Sequence, residues 1–595
     1  MITIPTSNRA EKPKGAPFYV DRVSFRPGER VDVARFTLAD DKVFDWPMVY
    51  ILANKDTAYV GQTTSIATRM NQHGANEEKR DFDTINVIYN EEFNGSVITD
   101  YEHRLIGYMH ADGRYKLTNK NEGMTDSNYF SKGAYSAMFE DLWEELRALE
   151  LADHTIADIE ESEVFKCSPF KGLNADQRVA LDKIMAAIRD GIDKAEPIVV
   201  EGMPGTGKTV LAIYLLKMLR DDPRYKDMNI RIIEPVTSLR KTLQRSLANV
   251  SGFKKSDVIG PSDLVKPAMG FEPGKGKCFD IVLIDEAHKL KRRVALGPSI
   301  GNYDKVNEKL GLPGDATQMD WVINQAKLPI FFYDPLQSIG PSCVRGDAMR
   351  AALGRAAEHP IRLESQMRVK GGDVYLRYVR DILDGCCEGF QKFEGYAFEL
   401  HKDFGDFLDC FERDYRDHNL SRIVAGYAWE WKTKPGRKLK EGEVPSEYDI
   451  EIDGVRLRWN CTNENWVGLG VEDPRVAREV GCIHSIQGYD LSYAYVIIGR
   501  DLLFNGEKGK PESNKEGYFD SNGKVKASKD ELDRYIKNIY YVLLTRGILG
   551  THVYVEDPTL RGVLRPVLPA ICLGLDTGSW VRRRCTQERL ALCGR

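Results

Sequence analysis

Residues 198–209, IVVEGMPGTGKT, constrain this chain more than any other stretch. A short apolar run leads into Gly202, Met203, Pro204, Gly205, Thr206, Gly207, Lys208 and Thr209, and the helix-like run VLAIYLLKMLR follows. Strand, glycine-rich loop and helix in that order, with G-x-x-x-x-G-K-T spacing, read as a phosphate-binding loop. Glycines let the backbone come close enough to a triphosphate for its N–H groups to point at phosphate oxygens. The helix that follows brings its positive end to the same place. Lys208 is expected to reach the β- and γ-phosphates of ATP, and the Thr209 hydroxyl to sit on Mg2+.

At 595 residues the chain exceeds a single core, so about three domains are expected. Hydrophobic residues make up 42% and charged residues 29%, the balance of an ordinary globular protein. The net charge of −5 means that nucleic-acid binding must come from a local basic cleft and not from bulk charge. Eleven cysteines include no C-x-x-C pair, and the adjacent Cys386 and Cys387 suit neither a metal site nor a disulfide framework. A reducing, cytoplasmic location is expected. No apolar run reaches about 18 residues and no leader pattern is visible, so neither a membrane span nor a secretion signal is expected.

Residues 1–40 have little periodicity and read as an arm or a lead-in. MVYIL (48–52) and AYVGQT (58–63) are apolar strands joined by a turn signal at 54–56, a hairpin. SIATRMNQHGAN reads as a helix with Arg69 and His73 at i, i+4 on one face. TINVIYN (84–90) is a further strand, and SVITDYEHRLIGYMHA a second helix with Glu102 near its start. This segment resembles the GIY-YIG nuclease domain. The name-giving tripeptides stand here as Val49-Tyr50-Ile51 and Tyr59-Val60-Gly61, with Val49 departing from glycine. The resemblance implies Arg69 as the catalytic arginine, Glu102 as the metal-binding glutamate, and Asn119 as the asparagine near the domain's end, with Asn121 competing. Phosphodiester cleavage needs a base to activate water, a cation against the developing charge and a metal to hold an oxygen. Tyr50, assisted by Tyr59 or His73, could be the base, Arg69 the charge clamp and Glu102 the single ligand of Mg2+ or Mn2+. The competing reading makes the tyrosines strand aromatics, Arg69 a solvated charge and Glu102 a partner of Arg104, in a fold kept only for binding.

Residues 131–168 read as a helical, acidic linker. Asn174 is an expected N-cap, with Gln177 on the first turn. Helicase-like ATPases use a glutamine in this place to read adenine; a plain surface glutamine is the alternative. Beyond the loop, strands and helices alternate as in a parallel α/β sheet. IRIIEPV (230–236) runs into a helix whose Ser238, Arg240 and Lys241 could meet nucleic-acid phosphates. FDIVLIDEAHKL (279–290) carries Asp285 and Glu286 to the C-terminal end of a strand, where ligands bind in such folds. Asp285 is expected to hold Mg2+ through water, and Glu286 to orient and polarise the attacking water. After an insertion at 290–328, LPIFFYDPLQSIG supplies Asp334 and Gln337, a γ-phosphate sensor or an ordinary turn. Gln366 and Arg368 follow, Arg368 as an arginine finger or a partner of Glu364. Further on, SRIVAGYAWEW (421–431) reads as a strand, 430–475 is tryptophan-rich, and Ser485, Gln487, Gly488 and Asp490 form a polar turn. NIYYVLLTRG (538–547) reads as a strand that delivers Arg546 to the γ-phosphate, or Arg546 is a helix C-terminal cation.

The ordered set Walker A, D-E-A-H, D-x-x-Q, Q-x-R, S-x-Q-G-Y-D and L-L-T-R is similar to superfamily 1 helicases. Within them it resembles a bacterial helicase-like family related to the helicase region of Schlafen proteins, over residues 170–560. The implied α/β architecture is an arm (1–40), a small mixed α/β GIY-YIG-like domain (41–130), the linker (131–168), two RecA-like parallel-sheet domains (169–355 and 356–560) and a basic tail (561–595). ATP contacts are expected from Gln177, Gly202, Pro204, Gly205, Thr206, Gly207, Lys208, Thr209, Asp285, Gln337, Gln487 and Gly488. The implied function is an ATP-dependent nucleic-acid motor fused to a metal-dependent endonuclease in anti-phage defence, with DNA favoured over RNA as substrate though the sequence leaves both open. A homo-oligomer or a defence-system protein is the expected protein partner. Two other readings stay open: an ATP-switched nucleic-acid sensor whose first domain grips without cutting, and a regulatory ATPase with protein partners.

Overall fold

The computed structural model describes residues 18–26, 44–119, 129–161, 173–248, 250, 253–366, 369–387, 389–418, 420–433, 447–461, 466–470, 473, 476, 479–486 and 489–568. Asn121, Arg368, Gln487, Gly488, most of the 1–40 arm and the tail beyond 568 lie outside the described residues. By its packing the chain divides into two units. The first is Met1–Val374 with Ile486–Asp490 and Asp520–Thr545; the second is Tyr375–Ser485, Leu491–Phe519 and Arg546–Arg595.

In the first unit, β1 (Tyr19–Ser24), β2 (Met48–Ala53), β3 (Thr57–Thr63), β4 (Thr84–Tyr89) and β5 (Lys116–Leu117) form a mixed sheet in the order β1-β4-β2-β3-β5. β1 pairs antiparallel with β4, so part of the expected arm is an edge strand of this sheet. The expected hairpin places Tyr50 opposite Gly61. Strand alternation sends Val49 and Ile51 into the core shared with the helix Gly95–Asp112. Tyr50 and Leu52 point the other way, against the helix Ile66–Gly74. The departure at Val49 therefore sits on the face away from Tyr50. The helix Gly95–Asp112 starts where Asn94 Oδ1 accepts from Ser96 N and Val97 N, and it stops at Gly113, whose φ of 76° suits glycine. The linker helix Lys132–Ala148 buries Phe139, Leu142, Trp143 and Leu146 in the same core. That core runs on into Leu181, Ile184, Leu211, Leu215 and Ile230, so the nuclease-like and first ATPase-like parts share one apolar interior.

The next sheet is wholly parallel. It contains β6 (Ile198–Gly202), β7 (Ile230–Ile233), β8 (Val258–Ile259), β9 (Phe279–Ile284), β10 (Ala326–Tyr333) and β11 (Ile361–Leu363), ordered β11-β6-β10-β9-β7-β8. Its strands read as near-continuous apolar runs because both faces are covered. β11 pairs with β6, so residues 361–363 belong to this sheet although the expected boundary stood at 355/356. The 290–328 insertion is two helices, Ile300–Leu310 and Gln318–Gln325, joined where buried Trp321 donates to Asn307 Oδ1 at 2.5 Å.

The second unit holds β12 (Ala397–His401), β13 (Arg422–Ala425), β14 (Ile450–Ile452), β15 (Val455–Trp459), β16 (Glu479–Val480), β17 (Leu491–Ile498), β18 (Leu502–Asn505), β19 (Lys510–Ser513) and β20 (Gly547–Val555). Its main sheet, β12-β20-β17-β13, is also parallel. Residues 538–547 were expected as a strand, but 538–544 complete the helix Lys529–Leu544 in the first unit. The cause lies upstream: Ser528 and Glu531 make a capping box, and Leu532, Tyr535, Ile536 and Ile539 already set a helical period. Of 421–431 only Arg422–Ala425 is strand. Among the described residues no helix is long and apolar enough to cross a membrane.

The tryptophan-rich stretch is organised by one buried carboxylate. Asp449 accepts from Lys432 N, Thr433 N, Thr433 Oγ1 and Trp459 N at 2.6–2.8 Å, and Trp459 is fully buried. Asp449→Ala strands three backbone N–H donors and is expected to destabilise this unit by about 2–4 kcal/mol. Urea unfolding of the full chain, followed by tryptophan fluorescence, measures it as a lower midpoint for one transition.

Candidate nucleotide and nuclease sites

The loop after β6 takes the shape its glycines allow: Gly205 and Gly207 have φ of 82° and 76°, left-handed values. Lys208 opens the helix Lys208–Asp221 and is buried. Its Nζ donates to Gly202 O at 2.7 Å and Met203 O at 3.0 Å, and lies 3.6 Å from Asp334 Oδ2. Thr209 Oγ1 donates to Asp285 Oδ2 at 2.6 Å, which joins the loop to the end of β9. Gln366 Nε2 donates to Pro204 O, closing the loop from the β11 side. Gln337 Nε2 donates to Asp334 Oδ2 at 2.7 Å, and Lys289 Nζ to Gln337 O at 2.8 Å. Two oxygen donors side by side, Thr209 and Asp285, beside a glycine loop and a lysine fit a divalent ion carried with a triphosphate.

Gln177 departs from its expected base-reading role. It is fully buried; its Oε1 accepts from Asn174 N, while Nε2 donates to Thr206 O at 3.1 Å and Gly207 O at 3.3 Å. Sitting at the third position of the helix Ala175–Gly191, it is turned by the capping box onto the loop, which it props from behind.

The carboxylates behind the loop share one charge problem. Burial and the neighbouring Glu286 push Asp285 up to about 6. Burial opposes charge on Glu286 too, but His288, whose Nε2 is 2.9 Å away, together with Lys208 and Lys289 holds it ionised, well below the usual range. Glu286 has φ 47°, a left-handed value that a residue with a Cβ adopts only under constraint. A third buried carboxyl, Glu234 at the end of β7, was not among the expected site residues; burial and the charges of Asp285 and Glu286 raise it well above its ordinary value. A lone glutamate between an apolar strand and a proline carries no motif, so sequence alone gave no sign of it. Arg240 is committed to Glu234 O and Thr237 Oγ1, whereas Ser238 and Lys241 are exposed. Arg546 is buried at the start of β20 in the second unit, and its backbone O accepts from Leu491 N.

In the mixed sheet, β2, β3 and the helix Ile66–Gly74 bring together four of the six expected residues. Tyr50 OH lies 2.7 Å from His73 Nε2 and accepts from Arg69 Nε at 3.1 Å. Arg69 takes one lone pair of the phenol oxygen, and with Nε2 as its unprotonated nitrogen His73 accepts the Tyr50 proton. Burial, then the charges of Arg69 and Lys79, lowers His73 to about 4, so the imidazole is neutral at pH 7. Burial keeps the Tyr50 and Tyr59 phenols protonated. Tyr59 meets His73 edge-on at 5.5 Å. Lys79, a buried cation, stands 3.2 Å from the centre of the Tyr59 ring. It too was missing from the expected set, because E-E-K-R reads as a solvated run. Glu102 completes the group. Burial raises it to about 7, opposed by Arg69 and a backbone hydrogen bond from Gln62. A carboxylate that resists ionisation for want of positive charge fits a divalent cation. Asn119 does not join: Oδ1 accepts from Val60 N at 3.0 Å and Nδ2 donates to Val60 O at 2.7 Å. Placed just after β5, its side chain continues the pairing along β3.

Gly61 has a specific reason to be glycine. A Cβ there would fall 2.3 Å from the Tyr50 hydroxyl oxygen, and the buried phenol has nowhere to go. Gly61→Ala is expected to displace the hydroxyl and lower nuclease turnover about 100-fold. Far-UV circular dichroism should stay native, and ATP hydrolysis should be unchanged.

Comparison with known proteins identifies both domains. The model of the Schlafen group 3 DNA/RNA helicase domain matches residues 196–557, and that of the GIY-YIG catalytic domain matches residues 47–109. A relative in Saccharomyces cerevisiae (strain ATCC 204508 / S288c), "Uncharacterized protein YPL245W", is 23% identical over 443 residues, 66% of this chain and 91% of the yeast protein. Among solved structures, the Pif1 helicase from Candida albicans is 13% identical, covers 67% of this chain and 97% of its own, and has a TM-score of 0.26. The Escherichia coli DEAH/RHA helicase HrpB is 13% identical, covers 66% and 44%, and has a TM-score of 0.29. Scores this low decide nothing; the family models do. The helicase-domain match spans more than half of the sequence, so the chain belongs to the Schlafen group 3 helicase family, as an enzyme that joins an NTP-hydrolysing helicase-like domain to a GIY-YIG nuclease domain.

Proposed function

We propose that this chain is an ATP-driven motor on DNA whose first domain cuts the strand it engages, in the cytoplasm of a bacterium and in defence against phage. The observation that carries the cutting half is the hydrogen-bonded group His73–Tyr50–Arg69 beside Glu102. Water approaching Tyr50 gives up a proton to the phenol oxygen as the phenol proton passes to neutral His73. The hydroxide adds to phosphorus, the P–O bond to the leaving oxygen breaks, and that oxygen takes a proton from water, with Arg69 facing the developing charge. Glu102 is the residue to hold Mg2+ or Mn2+, which when bound would stabilise phosphate oxygens. In the ATPase half, Lys208 and the loop amides bind the phosphates, Thr209 and Asp285 hold Mg2+, and Glu286 orients the attacking water. Exposed Ser238 and Lys241 support a nucleic-acid grip on the same unit. The Val49 departure gives no support to a binding-only domain, since its side chain lies on the face away from Tyr50.

A gel assay with plasmid DNA and RNA, with and without ATP and divalent metal, is the direct test. Lys208→Ala and Glu286→Gln are each expected to lower DNA-stimulated ATP hydrolysis at least about 100-fold. Glu102→Ala should abolish nicking, and undiminished nicking by that variant would remove the nuclease reading. Stimulated hydrolysis without cleavage under any divalent ion would instead favour the sensor. Bacteria carrying the wild-type gene should show reduced phage plating, restored by Lys208→Ala.

The nuclease should also carry a pH signature. Glu102 must be ionised to hold a cation, and its raised value of about 7 means that the ionised fraction falls as pH drops through 7. Nicking at sub-saturating metal should fall about tenfold per unit below pH 7 and level off above about pH 8. His73 stays neutral across that window, so it adds no second limb above about pH 5.

A further inference from the structure

The second unit holds a cluster that neither the nucleotide site nor the nuclease site uses. Glu399 and His401 are two apart on β12 and so project from one face of the sheet. His552 on β20 stands beside Glu399 in the parallel register. His401 Nε2 is 3.0 Å from His552 Nδ1, which is 3.5 Å from Glu399 Oε2; the three atoms all lie within 4.8 Å of one another. In a zinc tetrahedron with bonds of about 2.0–2.1 Å, donor atoms stand about 3.3 Å apart. The sequence hides this set, since its members are spread over 399–552 and share no motif.

Its surroundings are those of a metal ligand set. His552 turns its other nitrogen, Nε2, toward Asp414 Oδ2 at 3.5 Å. Asp414 in turn accepts from Tyr495 OH at 2.6 Å. Burial opposes charge on Asp414, but the hydrogen bonds from His552 and Tyr495 hold it below its usual range, so it is the ionised acceptor a ligating imidazole orients on. The His552 ring lies flat on Tyr495 at 4.4 Å, and the His401 ring meets Phe407 edge-on at 5.5 Å, so both rings are fixed. Burial and His552 lower His401 to about 4, which leaves a neutral imidazole with a lone pair at pH 7. Both histidines are buried, while Glu399 is 32% exposed, which opens the cluster to solvent on one side.

We propose that Glu399, His401 and His552 bind one zinc ion, with Asp414 orienting His552 and a fourth position open to water. Two imidazole nitrogens with one carboxylate select zinc over magnesium or calcium, which prefer oxygen ligands. The ion would tie the edge strand β12 to β20. The competing arrangement needs no ion: one proton between His401 Nε2 and His552 Nδ1, and a second between His552 Nε2 and Asp414, make a buried relay.

Metal analysis of the full chain separates the two. The Glu102→Ala protein, which lacks the nuclease ligand, is stripped with a chelator, incubated with Zn2+ in the absence of nucleotide, desalted and measured by mass spectrometry. About one zinc per chain is expected, with a rise in Tm on Zn2+ that Mg2+ does not reproduce. Adding His401→Asn and His552→Asn should remove the zinc and the Tm response. Asp414→Asn, which keeps the shape of the side chain, should weaken zinc affinity about 10–100-fold. Stripped protein that takes up no zinc, or zinc held undiminished by the double histidine variant or by Asp414→Asn, overturns the proposal and leaves the relay.

Discussion

Three buried carboxyl groups at the ends of two parallel strands set the terms for the first unit. Glu234, Asp285 and Glu286 stand where β7 and β9 end, and burial together with their mutual repulsion opposes ionising all three. The structure resolves this unevenly. Glu286 keeps its charge against His288, Asp285 is shared with the Thr209 hydroxyl, and Glu234 is driven toward its neutral form. Lys208, clamped by two loop carbonyls and facing Asp334, is a fixed cation that acts on Asp285 and Glu286. A triphosphate with its ion brings both signs of charge into this group, so binding must redistribute protons and hydrogen bonds across β7, β9 and β10. That makes the strand ends, and not the loop alone, the part of the fold that registers nucleotide.

Such a redistribution has a physical route toward the nuclease residues. The helix Gly95–Asp112 carries Glu102 in its first half and His110 near its end. His110 is hydrogen-bonded to the backbone of Ser246 on the helix Thr237–Ala248. That helix begins three residues after Glu234, and Arg240 within it holds the Glu234 carbonyl. One apolar core fills the space between, from Val49 and Ile51 through Trp143 to Leu211 and Leu243. Close-packed interiors transmit displacement as rigid bodies, not as continuous deformation. Two helices joined by a buried hydrogen bond thus link the strand end that carries Glu234 to the helix that carries Glu102.

Much of this was legible in the sequence where chemistry demands fixed spacing. The loop 202–209 and the Asp285–Glu286 pair formed where strand, turn and helix signals placed them, and Tyr50, Arg69, His73 and Glu102 converge as the order of their elements implies. What escaped reading falls into two physical kinds. Glu234 and Lys79 are ordinary residues made unusual by burial, and burial is a property of the assembled fold. Gln177 and Asn119 are the reverse case: amides with the right position for contact with a ligand, but committed to Gly207 O and to the Val60 backbone. The helix Lys529–Leu544 was misread because its apolar run, IYYVLL, shows no period of its own; the capping box that sets the helix lies ten residues earlier. The tryptophan-rich stretch 430–475 gave no burial signal in the sequence, yet Trp459 and Trp466 are buried, and Asp449 accepts from the Trp459 backbone N–H.

Ligand chemistry also explains how one chain could keep several ions apart. The nucleotide site offers a hydroxyl and a carboxylate, and the nuclease site a single carboxylate. Both are oxygen donors, suited to hard divalent ions that keep most of their water. Neither has the nitrogen donors that hold zinc tightly, and Glu102, already pushed toward its neutral form by burial, is a weak lone ligand. The histidine cluster in the second unit is the opposite: two fixed imidazoles whose geometry is set by strand register before any ion arrives. Preformed nitrogen ligands favour zinc at low free concentration, whereas the oxygen sites fill only when phosphate oxygens complete them. With zinc in the histidine cluster, as proposed, the ions would be sorted by donor atom, nitrogen-rich in the second unit and all-oxygen at the catalytic sites.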